Sequence, residues 1–288
     1  SNSHAWVKNI KKQNNFLHIC YCCTPMRFAW DLHDFYLAHY PLILRPFLRI
    51  FLASLRLWDK RSSKNVDFFV AISKHVASRI KQYYQREATV IYPPVDTSFF
   101  YLPAKRHAED FYLVVSRLVE HKQVEIAVKA FNLLKKSLVV IGSGRQHELL
   151  KRIGGSTITF LGSLSDEEVR SYYQRCKAFV FTPEEDFGLT PVEAQACGSP
   201  VIAYGKGGVL ETVIEGKTGH FYSQQHPLAL VQAVHEFEKM RFNPRDCRKN
   251  ASHPQDCRCT LGADGHIYFL RPDLSNPQPG SETGRGYD

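Results

Sequence analysis

The sequence predicts an α/β protein built on parallel sheets. Between residues 111 and 239, short apolar runs alternate strictly with amphipathic segments of helical period. That alternation is the signature of right-handed βαβ units. The chain has 288 residues, 44% of them hydrophobic and 23% charged, which is ordinary globular composition and enough for two compact cores.

The elements follow in order. Residues 17–22 read as a buried strand, closed by Thr24-Pro25. Residues 41–58 are strongly apolar but for Arg45, Arg49 and Arg56. At 100° per residue these three fall within roughly 40° of one another, a narrow basic stripe on an apolar helix. Pro46 belongs in its first turn. Such a helix lies either on an anionic membrane surface or inside the protein, with its arginines lining a cleft. Residues 66–71 are a strand, Ser73 is the N-cap of a helix ending about Tyr84, and 89–92 is a short strand closed by Pro93-Pro94. The polar, proline-containing stretch 96–109 reads as a linker.

Beyond it, strands are expected at 111–115, 137–141, 157–161, 178–181 and 200–203. Helices are expected at 124–134, 146–152, 166–175 and 191–197, near Leu210, and at 227–239. Residues 252–288 are rich in Gly, Pro, Asp and Ser without a period, and read as irregular. The division is therefore a first unit at 1–95, a linker at 96–110, a Rossmann-like unit at 111–250 and a tail at 251–288.

A net charge of +9 favours anionic partners. No basic run is interleaved with aromatics, so nucleic acid is not expected. Cys20, Cys22 and Cys23 share one apolar run, as buried thiols of a reducing compartment do. Cys247, Cys257 and Cys259 with His253 match no common zinc spacing. Residues 1–15 lack the apolar core of a signal peptide, and no run is long enough to span a membrane. The expectation is a soluble or peripheral protein, cytoplasmic and at most bound to the inner face of the cytoplasmic membrane.

In open parallel sheets ligands bind at the carboxyl ends of the strands, so four strand-to-helix loops matter most. The first, Ser116-Arg-Leu-Val-Glu-His-Lys122, offers Arg117 and Lys122 to a diphosphate, though a solvated loop explains two cations equally well. The second, Ile141-Gly-Ser-Gly144, is either a ligand approach through Gly142 or a tight turn. The third runs from Glu184 to Glu193. Glu185 sits in the loop and Glu193 in the first helical turn, with the amides of Phe187, Gly188 and Leu189 near the positive end of the helix dipole. Carboxylates for sugar hydroxyls beside amides for phosphates suit one ligand carrying both. Thr190-Pro-Val-Glu193 also reads as a capping box, which makes Glu193 a structural cap. The fourth, Gly205-Lys-Gly-Gly-Val-Leu-Glu211, is again turn or site, with Glu211 at the surface or capping.

Together, Ser-Arg-Leu…Lys at 116–122, Glu-Asp-Phe-Gly-Leu-Thr-Pro-Val-Glu-Ala at 185–194, Gly-Ser-Pro-Val-Ile-Ala at 198–203 and Gly-Gly-Val-Leu-Glu-Thr at 207–212 resemble glycosyltransferase family 4, the retaining, metal-independent enzymes of GT-B fold. Cys22-Cys-Thr-Pro-Met-Arg-Phe-Ala-Trp-Asp31, Arg56-Leu-Trp-Asp59 and Ala88-Thr-Val-Ile-Tyr-Pro-Pro-Val-Asp96 are similar to a bacterial subgroup of mannosyltransferases that build surface polysaccharides. The resemblance implies two Rossmann-like domains, the first truncated at its start, and a closing carboxy-terminal helix missing. It implies no cofactor and no metal, only a nucleoside diphosphate sugar as donor, GDP-mannose first, and a glycan or lipid-linked acceptor. By it, Arg117 and Lys122 bind the diphosphate, Glu185 the sugar hydroxyls, Glu193 the ribose, and the 187–189 backbone the sugar and phosphates, with catalysis resting on Glu185, Arg117 and Lys122. Transfer would proceed by front-face attack, the leaving diphosphate helping to deprotonate the acceptor. One departure is Cys23, where the family carries a histidine directed at the donor sugar. It leaves a second implication beside transfer, a nucleotide-sugar-binding remnant with impaired catalysis.

Overall fold

The computed structural model describes residues 2–3, 6–10 and 17–252, with the backbone of two short strands at 258–261 and 267–270. The tail expected to be irregular lies largely outside the described residues, as do His253 and Cys257. Within it, Ala251 and Ser252 end a helix, and Arg258–Leu261 pairs antiparallel with Ile267–Leu270.

The first sheet is parallel, in the order β1 (Asn2–Ser3), β2 (Ile19–Cys22), β3 (Phe68–Ala71), β4 (Ala88–Val90). Ile19 pairs with Phe68 and Cys22 with Ala71. This register turns Cys20, Cys22, Phe69 and Ala71 onto one core with Val76 and Ile80 of helix α4, in the stretch Lys74–Tyr84. Three helices fill the β2–β3 crossover: α1 (Arg27–Trp30), α2 (His33–Ala38) and α3 (Arg45–Ser62). The two short ones were not expected from the sequence. Each is under two turns, too brief to show a helical period.

Helix α3 starts at Arg45 rather than at 41, with a 3₁₀ turn at Leu42–Leu44 before it and Pro46 in its first turn. Its arginine stripe is divided. Arg45 donates to the carbonyls of Tyr40 at 3.0 Å and Ala38 at 3.2 Å, and Arg56 Nε donates to the Ala29 carbonyl at 2.7 Å. Those two arginines fasten α3 to the ends of α1 and α2, and Arg49 is exposed. Beneath α3 lies a buried ion pair, Lys8 Nζ to Asp59 Oδ1 at 2.9 Å. Tyr84 donates to Asp59 Oδ2 at 2.7 Å, Trp30 Nε1 does so at 2.9 Å, and Lys8 donates to the Tyr84 hydroxyl at 2.9 Å. The charges are compensated by hydrogen bonds, as burial of an ion pair requires.

The second sheet has six parallel strands: β5 (Tyr112–Val115), β6 (Leu138–Ile141), β7 (Ile158–Gly162), β8 (Ala178–Phe181), β9 (Val201–Tyr204) and β10 (Gly219–Tyr222). Their spatial order is β10-β9-β8-β5-β6-β7. Numbered within the unit, that is 3-2-1-4-5-6 read from the β7 edge, the doubly wound order. Helices α5 (Val124–Leu134) and α10 (Pro227–Phe237) cover one face, with Phe131, Leu230 and Phe237 packed on Tyr112 and Val180. Helices α7 (Asp166–Arg175) and α8 (Leu189–Ala196) cover the other, with Tyr173 and Ala194 on Leu113, Phe179 and Val201. The remaining helices are α6 (His147–Ile153), α9 (Val209–Thr212) and α11 (Pro244–Ser252). Strand β10 and helix α11 were not anticipated. Gly219-His-Phe-Tyr222 carries a polar residue among few apolar ones, and residues 244–252 are mostly charged or polar.

Candidate functional site

The sequence order reverses between β5 and β8, and crevices for ligands form outside the carboxyl ends of strands at such a point. The loops leaving those two strands, 116–122 and 182–188, flank it. Facing them across a cavity of about 540 Å³ stand Tyr21, Cys23, Thr24 and Arg27 from the loop after β2. Each unit thus presents the carboxyl end of its sheet to the same space.

Six of the expected site residues line this cavity: Arg117, Lys122, Glu185, Phe187, Gly188 and Leu189. Lys122 Nζ is in direct contact with the Glu185 carboxylate. Burial first, then the neighbouring Arg117 and Arg27, pull the Lys122 amine down to about 8, with Asp186 opposing them. His121 lies in the same group and is lowered by burial first, then by Lys122, Arg27 and Arg117. Cations converging on one cavity leave a site where an anion is favoured.

Gly142 and Glu193 stand elsewhere. Gly142, at φ +133°, donates its N–H to Gly162 O at 2.7 Å, and a Cβ there would lie 1.9 Å from the Ser116 carbonyl oxygen. Its lack of a side chain serves the packing of one loop backbone on the next. Helix α8 starts at Leu189 with Gly188 as N-cap at φ +84°, so Thr190 is already helical and Glu193 lies in the second turn. The capping-box reading of 190–193 therefore fails, because the Ncap position is occupied two residues earlier. Glu193 Oε2 instead accepts from the hydroxyl of buried Tyr173 at 3.2 Å. Burial raises the Glu193 carboxyl above its usual range, the Tyr173 bond opposes this, and Asp166 adds to it.

The structure adds contacts across the cleft that no local pattern signals. Arg79 of α4, 5% exposed, contacts Asp186 Oδ1 and Asp31 Oδ2 and donates to Thr24 Oγ1 at 3.0 Å. Ser73, the N-cap of α4, accepts from Val76 N–H at 3.0 Å and donates to the Asp186 carbonyl at 2.5 Å. Arg27 donates to the Glu184 carbonyl at 3.2 Å. Both chain neighbours of Glu185 are thus held by the first unit, while Gly208 N–H donates to the Glu185 carbonyl at 2.8 Å. Glu211 is neither a surface group nor a cap of its own helix. Its carboxylate accepts from the N–H groups of Lys74 at 2.8 Å and His75 at 2.9 Å and from the Tyr92 hydroxyl at 2.9 Å, capping α4 across the cleft. Cys23 lines the cavity, and burial, then Cys20 and Asp186, push its thiol up. Cys247 is buried in α11.

A family model described as Glycosyl transferases group 1 matches residues 102–253. The chain belongs to that family. Among its relatives, this group 1 chain is 29% identical over 216 residues to an uncharacterised glycosyltransferase of Methanocaldococcus jannaschii, covering 73% of the chain and 56% of the relative. It is 26% identical over 190 residues to a GDP-mannose-dependent alpha-(1-6)-phosphatidylinositol monomannoside mannosyltransferase of Mycolicibacterium smegmatis, covering 56% of the chain and 50% of the relative. The chain therefore spans about half the length of these relatives. Its structure is similar to that of sucrose-phosphate synthase from Thermosynechococcus elongatus, with a TM-score of 0.68 at 22% identity over 83% of this chain and 64% of that one. At that identity the likeness establishes the fold, which is of GT-B type.

Proposed function

We propose that this chain binds a nucleoside diphosphate sugar in the cavity between its two sheets and transfers the hexose, with retention, to a glycan or lipid-linked acceptor. The observation that carries this reading is the convergence of Arg117, Lys122 and Glu185 at the switch point of the second sheet. Mannose from GDP-mannose is the donor we favour, on the motifs at 22–31 and 88–96 and on the activity named for the mycobacterial relative.

In the mechanism we infer, the diphosphate displaces Glu185 from Lys122 and takes the two cations, Arg117 as a fork and Lys122 as a point charge. Glu185 then accepts from the sugar hydroxyls, and the amides at the start of α8 face the donor. As the glycosidic bond breaks, negative charge grows on the leaving diphosphate, where these cations stabilise it. The attacking hydroxyl passes its proton to that leaving group on the same face.

Cys23 supports a second reading, binding without efficient turnover, since a half-buried thiol whose proton is held more tightly than usual is a poor proton carrier where an imidazole would serve. A calorimetric panel of GDP, UDP and ADP tests the binding. The expected result is a preference for GDP, weakened at least roughly tenfold by Lys122→Gln, and failure of all three to bind overturns both readings. A transfer and donor-hydrolysis assay on the same protein separates the two. Turnover that rises in Cys23→His favours the impaired reading.

A further inference from the structure

We infer that the outer face of α3 is a docking surface for an anionic lipid bilayer. The nucleotide reading does not bear on this surface, which lies on a helix that contributes nothing to the cavity between the sheets.

Leu42, Ile43, Phe47, Ile50, Phe51 and Leu57 are large apolar side chains, each at least 59% exposed. At 100° per residue, Phe47, Ile50, Phe51 and Leu57 share a sector of about 120° on α3. Leu48, Leu52 and Leu55 on another side of the helix supply its contacts with the protein. The helix therefore has two apolar faces, one packed inward and one turned to solvent. A contiguous exposed patch of this kind marks an interaction site. Trp6 extends it, its ring 5.0 Å from that of Trp58 in the same sector, and tryptophan suits the boundary between lipid and water. A groove of about 330 Å³ between α2 and α3, lined by Tyr36, Tyr40, Leu48 and Phe51, continues the apolar surface and offers room for an acyl chain of the same bilayer.

Charge selects the bilayer over another apolar partner. Residues 45–64 hold six Lys or Arg and one carboxylate, Asp59, which is buried against Lys8. Arg49, Arg61 and Lys64 are exposed. Arg45 and Arg56 are spent on backbone carbonyls and Lys60 is half-buried, which leaves these three exposed. At 100° per residue Arg61 falls within the apolar sector, and Arg49 lies about 140° from its centre. An apolar face that carries Arg61 and runs out at Lys64 is the pattern of a helix lying in the plane of an anionic interface, its long cations reaching back to the headgroups.

The test is cosedimentation of the full chain with phosphatidylcholine vesicles, with and without phosphatidylglycerol, in the absence of nucleotide. Binding is expected to the anionic vesicles and to weaken with added salt. The double substitution Phe47→Ser, Ile50→Ser is expected to lower the partition constant by roughly tenfold or more. Arg61→Gln is expected to lower it about fivefold. Both variants alter exposed side chains, so their melting temperatures should match the parent. No binding to anionic vesicles, or binding that the double substitution leaves unchanged, overturns the inference. So does a concentration-dependent dimer that the double substitution abolishes, which would assign the face to a second copy of the chain. GDP affinity is measured separately, so loss of one result leaves the other standing.

Discussion

Arg79 of α4 and Asp186 of the β8–α8 loop form an ion pair across the cleft, joining the first sheet unit to the residue after Glu185. The guanidinium is nearly buried and also holds Asp31. Breaking one partner of a buried pair costs more than the pair itself contributes, because the remaining charge is left in low dielectric.

Arg79→Met is therefore expected to destabilise the protein by about 3 kcal/mol, and Asp186→Asn by less, since Arg79 keeps Asp31. Chemical denaturation of the two variants compares them. Asp186→Asn should still loosen the loop that bears Glu185, and a several-fold loss of nucleotide affinity at nearly unchanged melting temperature is the expected signature.

Lys122 gives the site its pH dependence. With the amine pulled down to about 8, its charge is present below that pH and lost above it, so affinity for a diphosphate should fall as pH rises from 7 to 9. Stability of the unliganded protein runs the other way. The unfolded lysine holds its proton to about 10.4, so between the two values the unfolded state binds more protons and stability rises with pH. Lys122→Gln should flatten both trends, in calorimetric titrations and in denaturation curves taken across the range.

Glu193 separates a ligand from a structural acid. Tyr173→Phe removes the hydroxyl that donates to it and should cost about 1 kcal/mol with nucleotide affinity unchanged. Should Glu193→Gln weaken GDP and GMP alike while leaving mannose-1-phosphate untouched, the carboxylate reads the nucleoside. If no nucleotide responds, its part is confined to the Tyr173 contact.

Gly188 holds a left-handed conformation at the start of α8, and a Cβ there would come within 3.2 Å of Phe181 Cζ. Gly188→Ala should destabilise by about 1–2 kcal/mol and displace the 187–189 segment that lines the cavity. Weaker nucleotide binding together with the lower melting temperature is the outcome to look for.

Much of this architecture was legible in the sequence. The alternation from 111 to 239 placed β5 to β9 and their helices within a few residues, and strands that are buried on both faces advertise themselves by apolar runs. The cavity loops were legible too, because a parallel sheet brings every strand-to-helix loop to one edge. What stayed hidden is long-range. Arg79 reaches Asp186 and Glu211 caps α4 through contacts more than a hundred residues apart, and nothing local in either segment announces them. The two capping-box patterns show the same limit. Ser165 and Glu168 form one, while Thr190 and Glu193 do not, because Gly188 starts the second helix early.

The Lys8–Asp59 pair sets a boundary on how this chain can be divided. Asp59 is fully buried in α3 with its partner charge supplied from before β2. A fragment that begins at β2 keeps every residue of the cavity yet strands that carboxylate, at a cost of about 3–5 kcal/mol. For a domain of marginal stability that is a large share of the whole. The residues that keep the cleft standing thus include some that never approach it, and the shortest fragment to retain the site is not the shortest one to fold.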